Sequence, residues 1–337
     1  MAKSILVTGG AGFIGSNFVP YFAKKYPTYN VIVLDKLTYA ANPENLAECN
    51  KMRNYRFFQG DICDANLVDA IFRDCDIRGV IHFAAESHVD NSITGPRAFI
   101  NTNIVGTANL LEAARNNWMD APGRVKTGHE TDRFHHISTD EVYGALGATG
   151  LFSETTPYDP SSPYSASKAS SDHLVSAWHR TFGLNTTISN CSNNYGPKQH
   201  PEKLIPKIIQ NCVNWQPIPI YGRGENVRDW LYVMDHVHAI DLIFHNGRAG
   251  QTYNIGGHNE RTNMQIVNTI CKIMDQRMPR KSGQYSDLIT FVADRPGHDL
   301  RYAIDAGKIE RELGWRAAET FDRGIIKTVD WYLQKMR

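Results

Sequence analysis

A glycine-rich turn directly after the first apolar segment restricts the fold more than any other feature of the sequence. The turn satisfies both G-x-x-G-x-x-G and G-x-G-x-x-G and reads Gly9-Gly10-Ala11-Gly12-Phe13-Ile14-Gly15. Glycine suits such a turn because it allows positive φ, close approach of the backbone to a pyrophosphate and tight packing of helix on strand. The N-terminus of the next helix attracts the phosphate charge. The turn therefore predicts a dinucleotide-binding β-α-β unit, although an ordinary glycine-rich turn is the alternative.

The first half of the chain alternates short apolar runs with longer helical patterns, as β-α-β units do. The predicted strands are Ser4 to Thr8, Val31 to Asp35, Tyr55 to Gln59, Val80 to Ala84, Phe134 to Ser138 and Thr186 to Asn190. The predicted helices lie near residues 13–25, 64–74, 97–117 and 164–181. Because crossovers are right-handed, the pattern predicts a doubly wound, Rossmann-type parallel sheet with a ligand crevice beyond the carboxyl ends of its strands.

From about residue 191 the pattern is less regular, because prolines break it into turns and short elements. This part predicts a smaller C-terminal α/β lobe that binds substrate. Asp235 to His245 predicts a helix and Gln251 to Ile255 a strand, so we expect the chain to return to the first domain. We assign residues 1–190 to the cofactor-binding Rossmann domain, rejoined by about 229–256, and residues 191–337 mainly to the other lobe, with an interleaved boundary.

The composition excludes several classes of protein. The chain of 337 residues is 42% hydrophobic and 21% charged, as in ordinary globular proteins. No apolar run is long enough for a transmembrane helix, and the run from Met1 to Ser4 leaves no room for a signal peptide, so we expect a cytoplasmic protein without a membrane partner. The formal net charge of +1, without long blocks of one sign, predicts no nucleic-acid partner.

Metal binding is not expected either. The six cysteines are scattered without a C-x-x-C pair, which is typical of reduced thiols rather than a zinc site or a disulfide framework. The thirteen histidines also lack the spacing of metal ligands. His135 and His136 are neighbours in a predicted strand, so their side chains point to opposite faces and cannot chelate together.

An acidic residue at the end of the second predicted strand favours NAD as the dinucleotide. Asp35 follows Gly15 by twenty residues. Its carboxylate can accept hydrogen bonds from both ribose hydroxyls and repels a 2′-phosphate, whereas Lys36 beside it argues for NADP. A turn or helix cap is the alternative role for Asp35. Asp61, after the third strand, is either an adenine-side contact or a cap.

A tyrosine and a lysine four residues apart open the predicted helix 164–181. This spacing places Tyr164 and Lys168 on one helix face. A free phenol has a pKa of about 10, too high for a base at neutral pH, but a neighbouring ammonium and a positive nicotinamide ring lower it. Tyr164 then takes the proton from a sugar hydroxyl as hydride leaves the same carbon. A surface pair without a function is the alternative.

Together, the glycine-rich turn and this pair resemble the extended short-chain dehydrogenase/reductase family of epimerases and dehydratases that act on nucleotide sugars. The resemblance covers essentially the whole chain. It implies a tightly bound NAD and a lobe that binds a nucleotide sugar. It also implies that Thr139, which matches the family's Ser or Thr, hydrogen-bonds the C4 oxygen of the sugar.

Two adjacent carboxylates, Asp140 and Glu141, follow Thr139 at the end of a predicted strand. Elimination of water from a sugar needs two proton carriers: once C4 is a ketone, a carboxylate can take the C5 proton and a carboxylic acid can protonate the leaving C6 hydroxyl. Two carboxyl groups in one dry site have their pKa values pushed apart, so one stays protonated. A solvated Asp-Glu turn is the alternative.

The pair is similar to that of the branch of the family that dehydrates dTDP-glucose, where the matching Asp is the acid and the matching Glu the base. The resemblance implies that Tyr164 and NAD oxidise C4, Glu141 removes the C5 proton, Asp140 helps expel water from C6 and the hydride returns to C6. Such a lyase forms dTDP-4-dehydro-6-deoxyglucose and water and regenerates NAD in each turnover.

Further stretches match the family's contact positions. Arg228 and Arg295 match its diphosphate ligands, a role that suits the planar guanidinium fork. The implied cofactor contacts are Gly9, Gly12, Phe13, Ile14, Gly15, Asp35, Lys36, Thr38, Asp61, Ile62, Ala84, Ala85, Ser87, Thr102, Tyr164, Lys168 and Asn194. The implied substrate contacts are Ser87, His88, Thr139, Asn193, Lys203, Leu204, Pro219, Tyr221, Arg228, Asn263, Arg295 and His298. Lys198 and His200 depart from the family, which often has aromatic residues there.

Two other functions fit parts of the sequence. A 4-epimerase, or a 4,6-dehydratase of a UDP- or GDP-sugar, is the nearest alternative; the Asp140–Glu141 pair argues against the epimerase. Thymine and uracil differ by one methyl group, which a pocket distinguishes by only about 1 to 3 kcal/mol. A non-catalytic NAD-sensing or scaffold protein predicts gaps at the catalytic positions, yet Thr139, Tyr164 and Lys168 are also in place.

The predicted helices 97–117 and 164–181 carry apolar residues beyond one face, namely Leu110, Leu111, Leu174, Val175 and Trp178. Members of the family dimerise through such a pair of helices from each copy, as a four-helix bundle. The resemblance therefore implies a homodimer, and a thick core within one chain is the alternative.

Overall fold

The computed structural model describes residues 3–294 and 298–336. Its strands are β1 (Ser4–Thr8), β2 (Asn30–Asp35), β3 (Tyr55–Gln59), β4 (Ile77–His82), β5 (Met119–Ala121), β6 (Arg124–Val125), β7 (Arg133–Thr139), β8 (Thr186–Cys191), β9 (Asn193–Tyr195), β10 (Ile218–Tyr221), β11 (Val227–Tyr232), β12 (Gln251–Ile255), β13 (Glu260–Thr262) and β14 (Ile289–Val292). Its α-helices are α1 (Phe13–Lys25), α2 (Ala65–Asp74), α3 (Val89–Thr94), α4 (Pro96–Phe99), α5 (Thr107–Trp118), α6 (Pro163–Phe182), α7 (Leu204–Val213), α8 (Val233–Asn246), α9 (Asn263–Arg277), α10 (Gly307–Leu313) and α11 (Phe321–Lys335).

Seven parallel strands form the large sheet, in the order β12-β8-β7-β4-β1-β2-β3. The side chains of β1 alternate between two covered faces. Ile5 and Val7 pack with α1 and α8, whereas Leu6 packs with α2, α5 and α6 on the other face. Helices on both faces are what a parallel sheet requires. The Rossmann-type fold expected from the sequence is confirmed.

The ligand crevice of this sheet is defined by where its strands end. The strands β1, β2, β7 and β8 end at Thr8, Asp35, Thr139 and Cys191, all at the carboxyl edge. The strand order reverses around β1, which lies between β2 and β4. In open α/β sheets such a reversal leaves a crevice outside the carboxyl ends of the strands.

One strand differs from its prediction by more than one residue at each end. The strand expected at Val80 to Ala84 is Ile77–His82. The chain leaves the sheet earlier because its backbone crosses over the glycine-rich turn: a Cβ atom on Gly9 would lie 2.6 Å from the Ala84 nitrogen. This close crossing is a tertiary contact, which the local apolar pattern does not reveal.

The smaller lobe has its own core. The sheet β13-β11-β9 and the pair β10-β14 lie with α7, α9 and α11 around buried side chains that include Tyr195, Trp230 and Ile266. Between these elements the chain returns to the large sheet, where β12 pairs with β8. Within residues 3–294 and 298–336, no helix is long and apolar enough to cross a membrane.

The apolar residues that suggested a dimer surface lie inside the single chain. Leu110, Leu111 and Val175 are fully buried in the core between the sheet and α2, α5 and α6, and Leu174 and Trp178 pack against that core. Leu110, Leu111 and Val175 therefore do not support a dimer surface, because the fold buries them without a second copy, whereas Leu174 and Trp178 are only partly buried. The predicted helix 97–117 is also interrupted, by a π-helical turn at Ile100–Gly106.

Candidate active site

One cavity of about 320 Å³ occupies the crevice at the carboxyl ends of the strands. Every residue predicted to contact the cofactor lines it, from Gly9 in the first turn to Asn194 beyond β8. The predicted catalytic residues line it as well, and they are Thr139, Asp140, Glu141, Tyr164 and Lys168. The fold thus brings together groups that lie more than a hundred residues apart in the chain.

The glycine-rich turn has the geometry of a phosphate loop. Gly9 has a φ of +69°, and a Cβ atom on Gly15 would lie 2.4 Å from the Gly9 carbonyl oxygen, so both positions require glycine. Gly12 precedes α1, and no side chain among the described residues caps the first turn of that helix. The backbone N–H groups of the first turn of α1 therefore have no side-chain acceptor. They can donate hydrogen bonds to a bound diphosphate.

Asp35 ends β2 beside this loop. Its Oδ2 atom accepts a hydrogen bond from the Ala11 backbone nitrogen at 2.8 Å, and its Oδ1 atom accepts one from the Leu37 nitrogen at 2.8 Å. Each oxygen keeps a second lone pair that can accept from a ribose hydroxyl. Lys36, the residue that argued for NADP, forms an ion pair of 2.7 Å with Asp61. A carboxylate already neutralises that lysine, and the acceptor oxygens of Asp35 fit NAD.

The two carboxyl groups are positioned by a 3-10 turn, Asp140–Tyr143, that begins where β7 ends. Thr139 caps this turn, because its Oγ1 atom accepts a hydrogen bond of 3.3 Å from the Glu141 nitrogen. The turn ends at Gly144, whose φ of +85° reverses the chain. Strand and turn together fix Thr139, Asp140 and Glu141 at one end of the cavity.

Asp140 is 1% exposed and holds its proton tightly. Burial raises its pKa well above the usual value, and the neighbouring Glu141 and Asp229 raise it further. Its Oδ2 atom has no hydrogen-bond partner among the described residues. A neutral carboxylic acid at the edge of a cavity is the group that a general acid requires.

Tyr164 and Lys168 lie in the first turns of α6, which a Ser162–Ser165 capping box starts. The Lys168 Nζ atom donates a hydrogen bond of 2.8 Å to the Ile137 carbonyl oxygen. Burial, followed by the charge of Glu141, raises the pKa of Tyr164 well above its usual value. For the protein's own groups burial outweighs any decrease that a neighbouring ammonium produces, and the effect of the nicotinamide ring stays a prediction.

The predicted substrate contacts divide into two sets. Those that line the cavity are Ser87, Thr139, Asn193 and Lys203. Those that lie outside its lining are His88, Leu204, Pro219, Tyr221, Arg228, Asn263 and His298. Arg295 falls outside the described residues. The second set belongs mainly to the smaller lobe, where the Tyr221 hydroxyl lies 3.4 Å from an Asp90 oxygen across the cleft.

Arg228 is buried between the two lobes rather than spread over the surface. Its guanidinium group donates to the backbone carbonyl of Asp299 at 2.9 Å and to that of Val227 at 2.8 Å. It also lies over the Tyr302 ring, 4.2 Å from the centroid. The positive charge of Arg228 acts on Asp140 and partly opposes the rise in the pKa of Asp140. Arg228 is thus coupled electrostatically to the predicted acid.

Cys191 is a cavity residue that the sequence did not single out. It ends β8 next to Thr139 of β7 and lines the cavity. Burial raises the pKa of its thiol to about 12, so it stays protonated and is a poor nucleophile at neutral pH. Its position at the carboxyl end of a central strand is the signal that would have identified it.

Lys198, at a position where the sequence is expected to differ from the family, holds its own loop in place. Lys198 adopts a φ of +72°, which is uncommon for a residue with a side chain. Its ammonium donates hydrogen bonds to the carbonyl oxygens of Ser16 at 2.8 Å and Asn45 at 3.1 Å. The lysine therefore ties its loop to α1, the helix that follows the phosphate loop. His200, the other departure, lines the cavity.

Comparisons with known proteins place the chain among the nucleotide-sugar dehydratases. The family model described as GDP-mannose 4,6 dehydratase matches residues 6–328. A dTDP-glucose 4,6-dehydratase of Salmonella typhimurium is 57% identical, and the match covers 98% of this chain and 92% of the relative.

Solved structures agree with these relatives. A dTDP-glucose 4,6-dehydratase of Streptomyces venezuelae with NAD and TYD bound is 45% identical and has a TM-score of 0.88, with 98% of this chain and 97% of that chain covered. The NAD complex of the Bacillus anthracis dTDP-glucose 4,6-dehydratase is 43% identical with a TM-score of 0.86, with 99% and 97% covered. Both fold and sequence therefore match over nearly the whole chain.

Proposed function

Since the chain belongs to the family of the dTDP-glucose 4,6-dehydratases, we propose that it converts dTDP-glucose to dTDP-4-dehydro-6-deoxyglucose and water. It is an NAD-dependent dehydratase. One observation carries the assignment of its chemistry: the buried, proton-holding Asp140 lies beside Glu141 in the same cavity as Tyr164 and the phosphate loop. An epimerase has no use for that pair of carboxyl groups.

The cofactor fits the lining of the cavity. The uncapped first turn of α1 and Gly12 would hold the diphosphate, and Asp35 would hold the adenosine ribose. Tyr164 and Lys168 would lie at the nicotinamide end, next to Thr139. Bound there, NAD would supply a hydride acceptor for C4 of the sugar and a hydride source for C6. The protein supplies the proton transfers that accompany these steps.

Three side chains divide the proton transfers. Thr139 hydrogen-bonds the C4 oxygen while Tyr164 takes the proton of the C4 hydroxyl. Glu141 removes the C5 proton, which the neighbouring C4 carbonyl makes acidic. Asp140 donates its proton to the departing C6 hydroxyl, a role that its raised pKa suits, because the group is protonated before the reaction begins.

Lys168 supplies the positive charge that Tyr164 needs. The pKa of the phenol is raised, so Tyr164 is neutral until a cation stabilises the phenolate. Burial lowers the pKa of Lys168 to about 8, which leaves the ammonium form dominant at neutral pH. A further positive charge near the two residues would therefore favour the phenolate form of Tyr164.

We also propose domain boundaries, a location in the cell and an oligomeric state for the protein. Residues 1–190, with about 229–256, hold NAD, and residues 191–337 mainly hold the nucleotide sugar. The protein acts in the cytoplasm as a homodimer, through a four-helix bundle built from the segments 97–117 and 164–181 of two copies. Ile100 and Val105, which are 50% and 46% exposed, support the bundle in place of the buried residues first considered.

Proton NMR of the purified protein in heavy water, with dTDP-glucose and no added cofactor, tests the proposal. A new C6 methyl signal with deuterium at C5 is the expected result, because C5 loses and regains a proton during the reaction. Interconversion of C4 epimers alone would refute the assignment of Asp140 and Glu141. Turnover of UDP- or GDP-glucose in place of dTDP-glucose would refute the substrate.

A further inference from the structure

Three buried titratable side chains meet beside the cavity: Lys168 and Asp172 of α6 and His136 of β7, called the Lys168 cluster below. They are 4%, 1% and 0% exposed. The spacing of four places Lys168 and Asp172 on one helix face. The His136 Nε2 atom lies 3.4 Å from the Lys168 Nζ atom and 3.2 Å from the Asp172 Oδ1 atom. This imidazole nitrogen thus lies between an ammonium and a carboxylate, and it is also 3.1 Å from the Ser171 Oγ atom.

The charges of the Lys168 cluster depend on each other. A buried ammonium needs a compensating charge. Burial lowers the pKa of Lys168 to about 8, and the Asp172 carboxylate is the largest influence that opposes this decrease. Burial raises the pKa of Asp172 to about 6, and the Lys168 ammonium is the largest influence that opposes this increase. At neutral pH both groups are therefore ionised, and each stabilises the charge of the other.

We propose that Asp172 is a positioning residue for the dehydratase reaction, whose carboxylate is the buried counter-charge that keeps Lys168 an ammonium. Asp172 does not line the cavity, so it acts through Lys168 rather than on the substrate. The inference rests on the proposed role of Lys168 as the cation that assists Tyr164. It extends the catalytic group along α6 from Tyr164 through Lys168 to Asp172.

A purely structural role for Asp172 can be separated from this one. Its Oδ2 atom accepts hydrogen bonds from the Ser138 Oγ atom at 2.8 Å and from the Tyr158 hydroxyl at 3.0 Å. Its Oδ1 atom, the one near His136, has no hydrogen-bond partner among the described residues. Asparagine keeps a carbonyl oxygen for Ser138 and Tyr158 and removes the charge. Asp172→Asn therefore tests the charge alone.

Other titratable groups surround the cluster, but the Asp172 charge is the largest influence that raises the pKa of Lys168. The surrounding groups are His82 of β4, Asp140, Glu141 and Tyr143 of the 3-10 turn, Tyr158, His173 of α6 and Cys191 of β8. Burial keeps Cys191, Tyr158 and Asp140 neutral at neutral pH, since it raises the pKa of each. Glu141 acts on α6 at Tyr164. The charged side chains of α3, α4 and α5 reach solvent, and they are Asp90, Arg97, Glu112 and Arg115.

The test is the pH profile of kcat for the purified NAD-containing protein with dTDP-glucose. In Asp172→Asn we expect the alkaline limb to move to lower pH by about one unit or more, because loss of a nearby anion favours the neutral amine. The KM should stay unchanged, because Asp172 lies outside the cavity lining. Tyr158→Phe is the matched control: it removes one hydrogen bond to the same carboxylate, keeps the charge and should leave the limb in place.

An unmoved limb in Asp172→Asn, or an equal shift in Tyr158→Phe, would overturn the proposal. Carbon-13 NMR of the Asp172 Cγ atom in the wild-type protein decides the matter if the variant does not fold. We expect a carboxylate that titrates near pH 6, because burial raises the pKa of Asp172 to about 6, whereas a neutral carboxyl group up to pH 8 would contradict the inference. Wild-type protein that leaves dTDP-glucose untouched would refute the proposed function instead, and this NMR titration would still report on Asp172.

Discussion

Asp140 illustrates how a single residue is prepared for acid catalysis by where its strand ends. The carboxyl end of β7 places it in the interior, where water cannot stabilise a carboxylate. The neighbouring carboxyl groups of Glu141 and Asp229 favour the neutral form further. The proton that the departing hydroxyl needs is therefore held ready by burial and by like charges, without a hydrogen bond to Oδ2 from the described residues.

Replacement of Asp140 by asparagine should separate activity from stability. Because folding raises the pKa of Asp140, the folded protein binds that proton more tightly than the unfolded chain, so this group's contribution to stability decreases as the pH rises above its unfolded value. Asp140→Asn should thus keep or raise the Tm at pH 8 while kcat decreases by about 10²-fold or more. A lower Tm at pH 8 than in the wild type would contradict this account of the buried carboxyl group.

Glu141→Gln tests the base. The amide cannot take the C5 proton, so we expect kcat for dehydration to decrease by about 10²- to 10⁴-fold, and exchange of the C5 proton with heavy water to stop. Glu130→Gln, at an exposed acid far from the cavity lining, is the control and should retain both. Unchanged turnover in Glu141→Gln would mean that another group removes the proton.

At the scale of elements, the site depends on turns at the carboxyl ends of parallel strands. β1 leads into the phosphate loop, β7 leads into the 3-10 turn with the two carboxyl groups, and β8 leads through Ser192 into β9. The helices α1 and α6 then present their first turns to the same cavity. Because each functional group lies within a few residues of a regular element, the sheet fixes their relative positions.

Gly9→Ala should damage the cofactor site. The position has positive φ, and the new methyl group would lie 2.6 Å from the Ala84 backbone nitrogen. We expect loss of NAD from the purified protein, measured by absorbance after acid denaturation, and a lower Tm. Gly123→Ala is matched in strain, with a φ of +73° and no atom within 4 Å of the new Cβ position, so it should cost only about 1–2 kcal/mol and retain NAD. Equal retention of NAD in both variants would contradict the close-approach argument.

The elements were predictable because their signals are local. The short apolar run and the spacing of the glycines predict β1, α1 and the phosphate loop. The spacing of Tyr164 and Lys168 places both residues on one face of a single helix, so it too is a local signal. The roles of Asp172 and His136 were not predictable, because they depend on contact between α6 and β7. The same holds for the rise in the pKa of Tyr164, which results from tertiary burial.

At the scale of the molecule, the interleaved chain links the two lobes across the cavity. β12 returns to the large sheet, and Lys198 ties the loop before α7 to α1. On the outer side, the π-helical turn that precedes α5 leaves Ile100 and Val105 exposed. Exposed aliphatic side chains on one helical segment are a natural contact for a second copy.

Ile100→Asp combined with Val105→Asp should therefore convert the proposed dimer to a monomer. Light scattering should give twice the mass of one chain for the wild type and the mass of one chain for the double variant. Phe291→Asp is the control, since Phe291 is 62% exposed on β14 of the other lobe, and it should leave the mass unchanged. A monomeric wild type would rule out the bundle.

One cavity oxidises C4, eliminates water and returns the same hydride to C6. The most direct measurement uses dTDP-glucose that carries deuterium at C4, incubated with the purified protein in ordinary water without added NAD. We predict a product whose C6 methyl group contains the deuterium, as shown by mass spectrometry and NMR. A product methyl group without deuterium, or deuterium that stays at C4 of an epimer, would contradict the account.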